Sequence, residues 1–154
     1  MTQPTDEPPI QQRVGSALLA ADESVAVAES LTGGRIGALL AEVPDAAAFF
    51  DRAAVAYTDR AKREQLGVEA ERLSDVGPLD GPIVEGMARQ VRLQAGTRWG
   101  LATTGIPGQS DEGHDKPVGT AYVGVVKTTA GEYKDTAINV SGYEFDGSRS
   151  EIVH

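Results

Sequence analysis

The sequence predicts an α/β protein, a three-layer α/β/α sandwich around a mixed sheet. Three observations carry this. Segments with helical apolar spacing alternate with short β-branched runs through the first half of the 154 residues. Single glycines and Gly-Pro pairs punctuate those segments. The last part of the chain reads as a strand-rich hairpin, so the sheet mixes parallel and antiparallel pairs and is covered by helices on both faces.

Taken in order, residues 10–21 set Ile10, Val14, Ala17, Leu18 and Ala21 on one helical face. Residues 24–28, with Val25 and Val27, form a short buried strand. Residues 33–43 are a helix with Ile36, Leu39, Leu40 and Val43 on one side and Pro44 beyond its end. Residues 51–57 make a second strand, after which Thr58 or Asp59 caps a short helix that stops at Gly67. A turn-rich stretch holds Gly77-Pro78 and Gly81-Pro82, and Pro82 opens a longer helix running to Ala95. Residues 99–104 are a strand ending at Gly105, and residues 106–117 are a long polar loop. Residues 118–128 alternate as a strand, and Gly131 turns the chain into its hairpin partner, 133–140. Asp146 or Ser148 begins a final short helix.

A chain of this length holds one domain, residues 10–154, preceded by a polar leader over residues 1–9 that contains three prolines. The net charge of −9 opposes an electrostatic grip on nucleic acid or an anionic membrane. No apolar run has the length of a membrane span and no segment reads as a signal peptide. The absence of cysteine excludes disulfides, thiol catalysis and thiolate metal sites, and fits a cytoplasmic protein. Lys62, Lys116, Lys127 and Lys134 are the only lysines against ten arginines. Acidic excess with few lysines is a pattern of proteins from high-salt cytoplasms, and equally of an ordinary acidic surface.

The segment Ala28-Glu29-Ser30-Leu31-Thr32-Gly33-Gly34 joins a strand to a helix. At such a junction unpaired N–H groups and the positive end of the helix dipole can meet an anion or a developing oxyanion. Two further groups also fall at strand ends: Tyr57-Thr58-Asp59-Arg60-Ala61-Lys62 and Thr103-Thr104-Gly105. Open α/β sheets place ligands at the carboxyl ends of their strands. If strands 24–28 and 98–104 are parallel neighbours, Ser30 and Thr104 meet. A serine hydroxyl needs a base, and histidine is badly supplied, with His114 in a charged loop and His154 at the last position. A lysine whose pKa is lowered by burial or a nearby cation can serve, and Lys62 is the only one placed near a strand end in the first half. Gly33, Gly34 and Gly105 would let backbone amides come close to an oxyanion or phosphate.

Each residue also has a structural reading. Taken singly, Ser30 is more often a helix cap than a nucleophile. Lys62 reads as a solvated helix residue, Tyr57 as a half-buried strand residue, and Gly33-Gly34 as tight packing. The loop Ser110–Lys116 has three carboxylates and a histidine but fits neither calcium-loop nor zinc spacing, so no metal is expected; over the site it would serve as a lid. Arg149 stands at a helix start, where the dipole disfavours a cation; a surface arginine is the default reading, and phosphate or carboxylate binding is the functional one.

Together these motifs resemble the C-terminal domain of the CinA (competence/damage-inducible) family, which includes nicotinamide mononucleotide amidases. The matching pieces are Ala28–Gly34, Phe50-Asp51-Arg52, Ala56-Tyr57-Thr58 with Ala61-Lys62 and Leu66-Gly67-Val68, Thr104-Gly105-Ile106, Lys116–Thr120 and Phe145–Arg149. Leu31 stands where the family commonly has cysteine, and Ile106–Ser110 and Gly77–Gly81 replace the family's usual stretches. The resemblance implies a dimeric α/β/α protein that hydrolyses the carboxamide of nicotinamide mononucleotide to nicotinate mononucleotide and ammonia without a metal or cofactor. By position it makes Ser30 the nucleophile and Lys62 its base, with Tyr57 assisting. It assigns Thr32, Gly33, Gly34, Thr104, Gly105 and Arg149 to substrate binding. The alternative is a catalytically silent nucleotide- or partner-binding module on the same fold.

Overall fold

The computed structural model describes residues 6–68, 81–105, 119–129 and 135–154. The elements are α1 (Ile10–Ala21), β1 (Val25–Glu29), α2 (Arg35–Ala41), a 3₁₀ turn (Ala46–Ala48), β2 (Phe50–Val55), α3 (Asp59–Leu66), α4 (Gly81–Ala95), β3 (Trp99–Gly105), β4 (Thr120–Thr128), β5 (Asp135–Glu144) and α5 (Arg149–Val153). One five-stranded sheet runs in the order β2-β1-β3-β4-β5. β1 is parallel to both β2 and β3, while β3–β4 and β4–β5 are antiparallel. The expected mixed sheet and the required parallel pairing of β1 with β3 are both present.

The alternation of β1 defines the layers. Ala26 and Ala28 join Leu66, Val68, Ile83, Val84, Met87, Ala88 and Val91 in one core, under α3 and α4. Val25 and Val27 join Leu18, Leu40, Val43 and Phe49 in the other, under α1 and α2. All five residues of β1 are buried, as expected of a strand covered on both faces.

Local signals fix the elements flanking the site. Thr58 caps α3, its Oγ1 accepting from Ala61 N–H at 3.1 Å, and Gly67 ends it in the left-handed region at φ 63°. The helix expected over 33–43 is shorter. Gly33 and Gly34 take φ of +59° and +100°, conformations outside any helix, so α2 starts at Arg35. β5 is longer than expected and ends at Glu144. The polar loop 106–117, with its Ser110–Lys116 cluster, the Gly77–Gly81 turn up to residue 80, and the Gly131 turn lie outside the described residues.

α5 is held by a capping box. Ser148 Oγ accepts from Glu151 N–H, and the Glu151 carboxylate accepts from Ser148 N–H at 2.6 Å. Ile152 and Val153 then pack with Leu31 and Ala121. Leu31 thus ties the last helix to the Ser30 turn. No helix among the described residues is long and apolar enough to cross a membrane.

Candidate active site

Because β1, β2 and β3 run parallel, their carboxyl ends share one edge of the sheet. β1 leaves towards α2 on one face, and β2 leaves towards α3 on the other. Adjacent strands whose connections depart to opposite faces open a crevice between them, the usual ligand position in an open α/β sheet. On this edge Ser30 follows β1 and Tyr57–Lys62 follows β2.

The register carries Ser30 into place. Ser30 N–H donates to Thr103 O at 3.1 Å, which continues the β1–β3 ladder one step past Ala28 and Ala102. Ser30 is therefore set opposite Thr104, on the face of Ala28 and Ala102. On the other side Ala56 N–H donates to Glu29 O at 2.8 Å, which brings the end of β2 alongside. Ser30, Thr104 and Lys62 are all buried, Lys62 to 2% residual exposure. Lys62 Nζ donates to Tyr57 O at 3.3 Å, one residue beyond Ala56. The amine is thus held at the end of β2, beside the strand that ends in Ser30.

Two structural readings of these residues are overturned. Lys62 is not a solvated helix residue, because α3 turns it inward with Leu66. Burial lowers its pKa from the ordinary lysine value, against the opposing field of Asp59. Nor does Ser30 cap α2. The N-cap position is Gly34, without a side-chain cap of its own, and Ser30 Oγ has no hydrogen-bond partner among the described residues.

The remaining candidates divide. Tyr57 lies just past β2 with 51% exposure, and its carbonyl engages Lys62. Thr32 Oγ1 pairs with Thr103 Oγ1 at 2.8 Å, a link from the turn to β3. The N–H of Gly33 donates to Ser30 O at 3.0 Å and that of Gly34 to Glu29 Oε1 at 3.2 Å. Both amides are therefore engaged inside the turn, and what these glycines supply is its left-handed path. Gly105 closes β3, where a Cβ would stand 2.5 Å from Thr120 O, so close strand packing demands its glycine. Arg149 is the first residue of α5, and its side chain lies outside what the structure describes. No group of three or more His, Cys, Asp or Glu suited to a metal occurs among the described residues.

One buried residue beside Ser30 was not singled out in the sequence. Glu29, fully buried at the end of β1, accepts from Gly34 and Ile36 N–H on Oε1 and from Gly37 N–H on Oε2, the last two at 2.9 Å. A carboxylate as the final residue of a buried strand, just before a glycine turn, was the available signal.

The fold and this edge define an α/β protein with a buried serine after β1 and a buried lysine on α3 after β2, with no hydrogen bond between the two. The family model of the CinA C-terminal domain matches residues 7–154, and the chain belongs to that family. A CinA-like protein of Syntrophotalea carbinolica is 39% identical over 131 residues, covering 85% of this chain and 30% of the relative. One from Synechocystis sp. is 42% identical over 120 residues, covering 78% and 29%. The chain thus spans under a third of the length of these curated relatives. Among solved structures, the competence damage-inducible protein A (ComA) of Klebsiella pneumoniae superposes with a TM-score of 0.84 at 29% identity, covering 93% of this chain and 84% of that one.

Proposed function

We propose that this chain is an amidohydrolase that converts nicotinamide mononucleotide to nicotinate mononucleotide and ammonia, with Ser30 as nucleophile and Lys62 as base. The observation that carries the reading is a buried lysine of lowered pKa, held at the same sheet edge as a serine hydroxyl that caps nothing. Neutral Lys62 takes the hydroxyl proton as Ser30 Oγ attacks the carboxamide carbon. The C–N bond then breaks, Lys62 returns the proton to the departing ammonia, and an ester of Ser30 remains. Lys62 next takes a proton from water, hydroxide attacks the ester carbon, and the acid leaves as Ser30 regains its proton.

Tyr57, Thr104 and Arg149 are proposed to hold the nucleotide and orient the amide, as the resemblance implies. Thr32, Gly33, Gly34 and Gly105 shape the walls. The reaction needs no metal or cofactor. We place it in the cytoplasm, acting as a homodimer. We propose the edge strand β5 as its interface, which exposes Ile138 and Val140 on one face and Tyr143, stacked on Phe145, on the other.

Ammonia release from nicotinamide mononucleotide tests the proposal. Wild type should release it at low or high salt, and Ser30→Ala and Lys62→Ala should each lose about 10³-fold or more in kcat. Full activity in either variant overturns the mechanism. Tight nucleotide binding by calorimetry without turnover selects the silent binding module instead.

A further inference from the structure

The turn that carries Ser30 contains two hydroxyl residues of the kind that usually cap helices, yet neither caps α2. Thr32 is committed to Thr103, and Ser30 Oγ has no partner among the described residues. The capping is done from behind by Glu29. Its carboxylate lies under the start of the helix and takes three N–H groups, those of Gly34, Ile36 and Gly37. Burying a carboxylate is costly, and a serine or threonine cap would have satisfied one of these donors cheaply. Three charge-assisted hydrogen bonds and the helix dipole offset the cost.

The contacts also bear on the backbone of Ser30. Its N–H is tied to β3 through Thr103 O and its C=O to Gly33 N–H. Glu29, the residue before it, is tied to β2 through its own C=O and to α2 through its side chain. The close approach of Gly37 is part of the device. A Cβ there would stand 2.7 Å from Ala53 Cβ and 3.4 Å from Glu29 Oε2, so α2 can sit against β2 and the carboxylate only with glycine at this position.

We propose that Glu29 is a positioning residue for the Ser30 nucleophile: its carboxylate caps α2 in place of a turn hydroxyl, which fixes the turn and leaves Ser30 Oγ for chemistry. This rests on the reading of Ser30 as nucleophile. It also assigns the N-terminus of α2 to an internal anion, so the substrate's phosphate is bound elsewhere.

The test compares wild type, Glu29→Gln and Glu29→Asp by three measurements. These are ammonia release, the rate at which diisopropyl fluorophosphate labels Ser30, and hydrogen exchange at the Gly34, Ile36 and Gly37 amides. Glutamine keeps the size but turns an NH₂ towards N–H donors. Kcat and labelling rate should each fall about tenfold or more with KM moved less than about twofold, because orientation is lost rather than binding. Exchange at the three amides should speed up while the thermal transition stays cooperative. Glu29→Asp keeps the charge on a shorter arm and should be intermediate in both rates, which also covers the case in which the glutamine variant does not fold. A variant with wild-type kcat and labelling rate overturns the inference, as does a loss fully accounted for by the unfolded fraction. If wild type itself neither releases ammonia nor is labelled at Ser30, the nucleophile reading falls and this inference falls with it.

Discussion

In the proposed reaction Lys62 is the base, and its surroundings decide how it titrates. Desolvation holds its pKa down although Asp59 pulls the other way. The rise of kcat/KM with pH should therefore have its midpoint below the ordinary lysine value of 10.5, and Asp59→Asn should lower that midpoint further. The same shift has a stability consequence with a definite sign. A lysine whose folded pKa is lowered binds fewer protons folded than unfolded, so its burial cost is full below the folded pKa and is relieved as pH rises towards the unfolded value. Lys62→Met should accordingly raise the stability of the inactive protein at neutral pH. Urea denaturation at several pH values should show that gain shrinking on the alkaline side. In the sequence, Lys62 stood out among four lysines as the one near a strand end in the first half. Its solvent exposure depended on which face of α3 met the sheet, and a helix whose apolar residues are few leaves that face weakly marked.

At the scale of elements, β3 and β4 meet at Gly105 so closely that a methyl group would press on the backbone of Thr120. Gly105→Ala should cost about 1–3 kcal/mol by denaturation, the range for overpacking a rigid site. Activity should fall as well, since Ser30, Thr104 and Gly105 share one ladder end. The boundaries of α3 were legible because Thr58 and Gly67 are local signals and act through bonds to residues three and four positions away. The start of α2 was not legible. The apolar face begins only at Ile36 and does not mark the first turn; the two glycines adopt positive φ and the cap comes from Glu29, on the preceding strand. α5 shows the reverse case. It is only five residues long, yet the Ser148–Glu151 box and the burial of Ile152 and Val153 hold it against Leu31.

At the scale of the molecule, the two ends of the central sheet are managed differently. The carboxyl ends of β1, β2 and β3 make the candidate site. Near the opposite end, Glu23 accepts from Trp99 Nε1 at 2.6 Å and pairs with Lys127 Nζ at 3.3 Å, while Lys127 lies 4.7 Å above the indole centroid. The Trp99 hydrogen bond, helped by Lys127 and Arg98, holds the Glu23 carboxyl below its ordinary 4.5 despite desolvation. Its folded pKa being depressed, this group contributes stability above 4.5 that is lost as pH falls through the folded value. Trp99 is the only tryptophan, so its fluorescence should report that titration before global acid unfolding, and Glu23→Gln should abolish the step. The far edge, β5, presents Ile138 at 50% exposure with Val140 and Tyr143. If the proposed dimer forms there, Ile138→Glu with Tyr143→Glu should give a monomer in analytical ultracentrifugation, whereas an unchanged mass would place the interface elsewhere.

The sequence by itself determined the α/β class, the order of the elements and the positions of Ser30, Tyr57, Lys62 and Thr104 at strand ends. These follow from apolar periodicity and from caps and glycines that act within a few residues. Only the tertiary structure decided what those residues are to one another. The register of β1 against β3 set Ser30 beside Thr104, and the parallel β1 and β2 put the Ser30 and Tyr57–Lys62 segments on one sheet edge. The packing of α3 buried Lys62, and a carboxylate reaching from a strand to the next helix relieved Ser30 of capping. Each of these depends on groups brought together across the sheet or across a turn, and burial, which sets both the lysine's basicity and the serine's surroundings, is a property of the assembled layers.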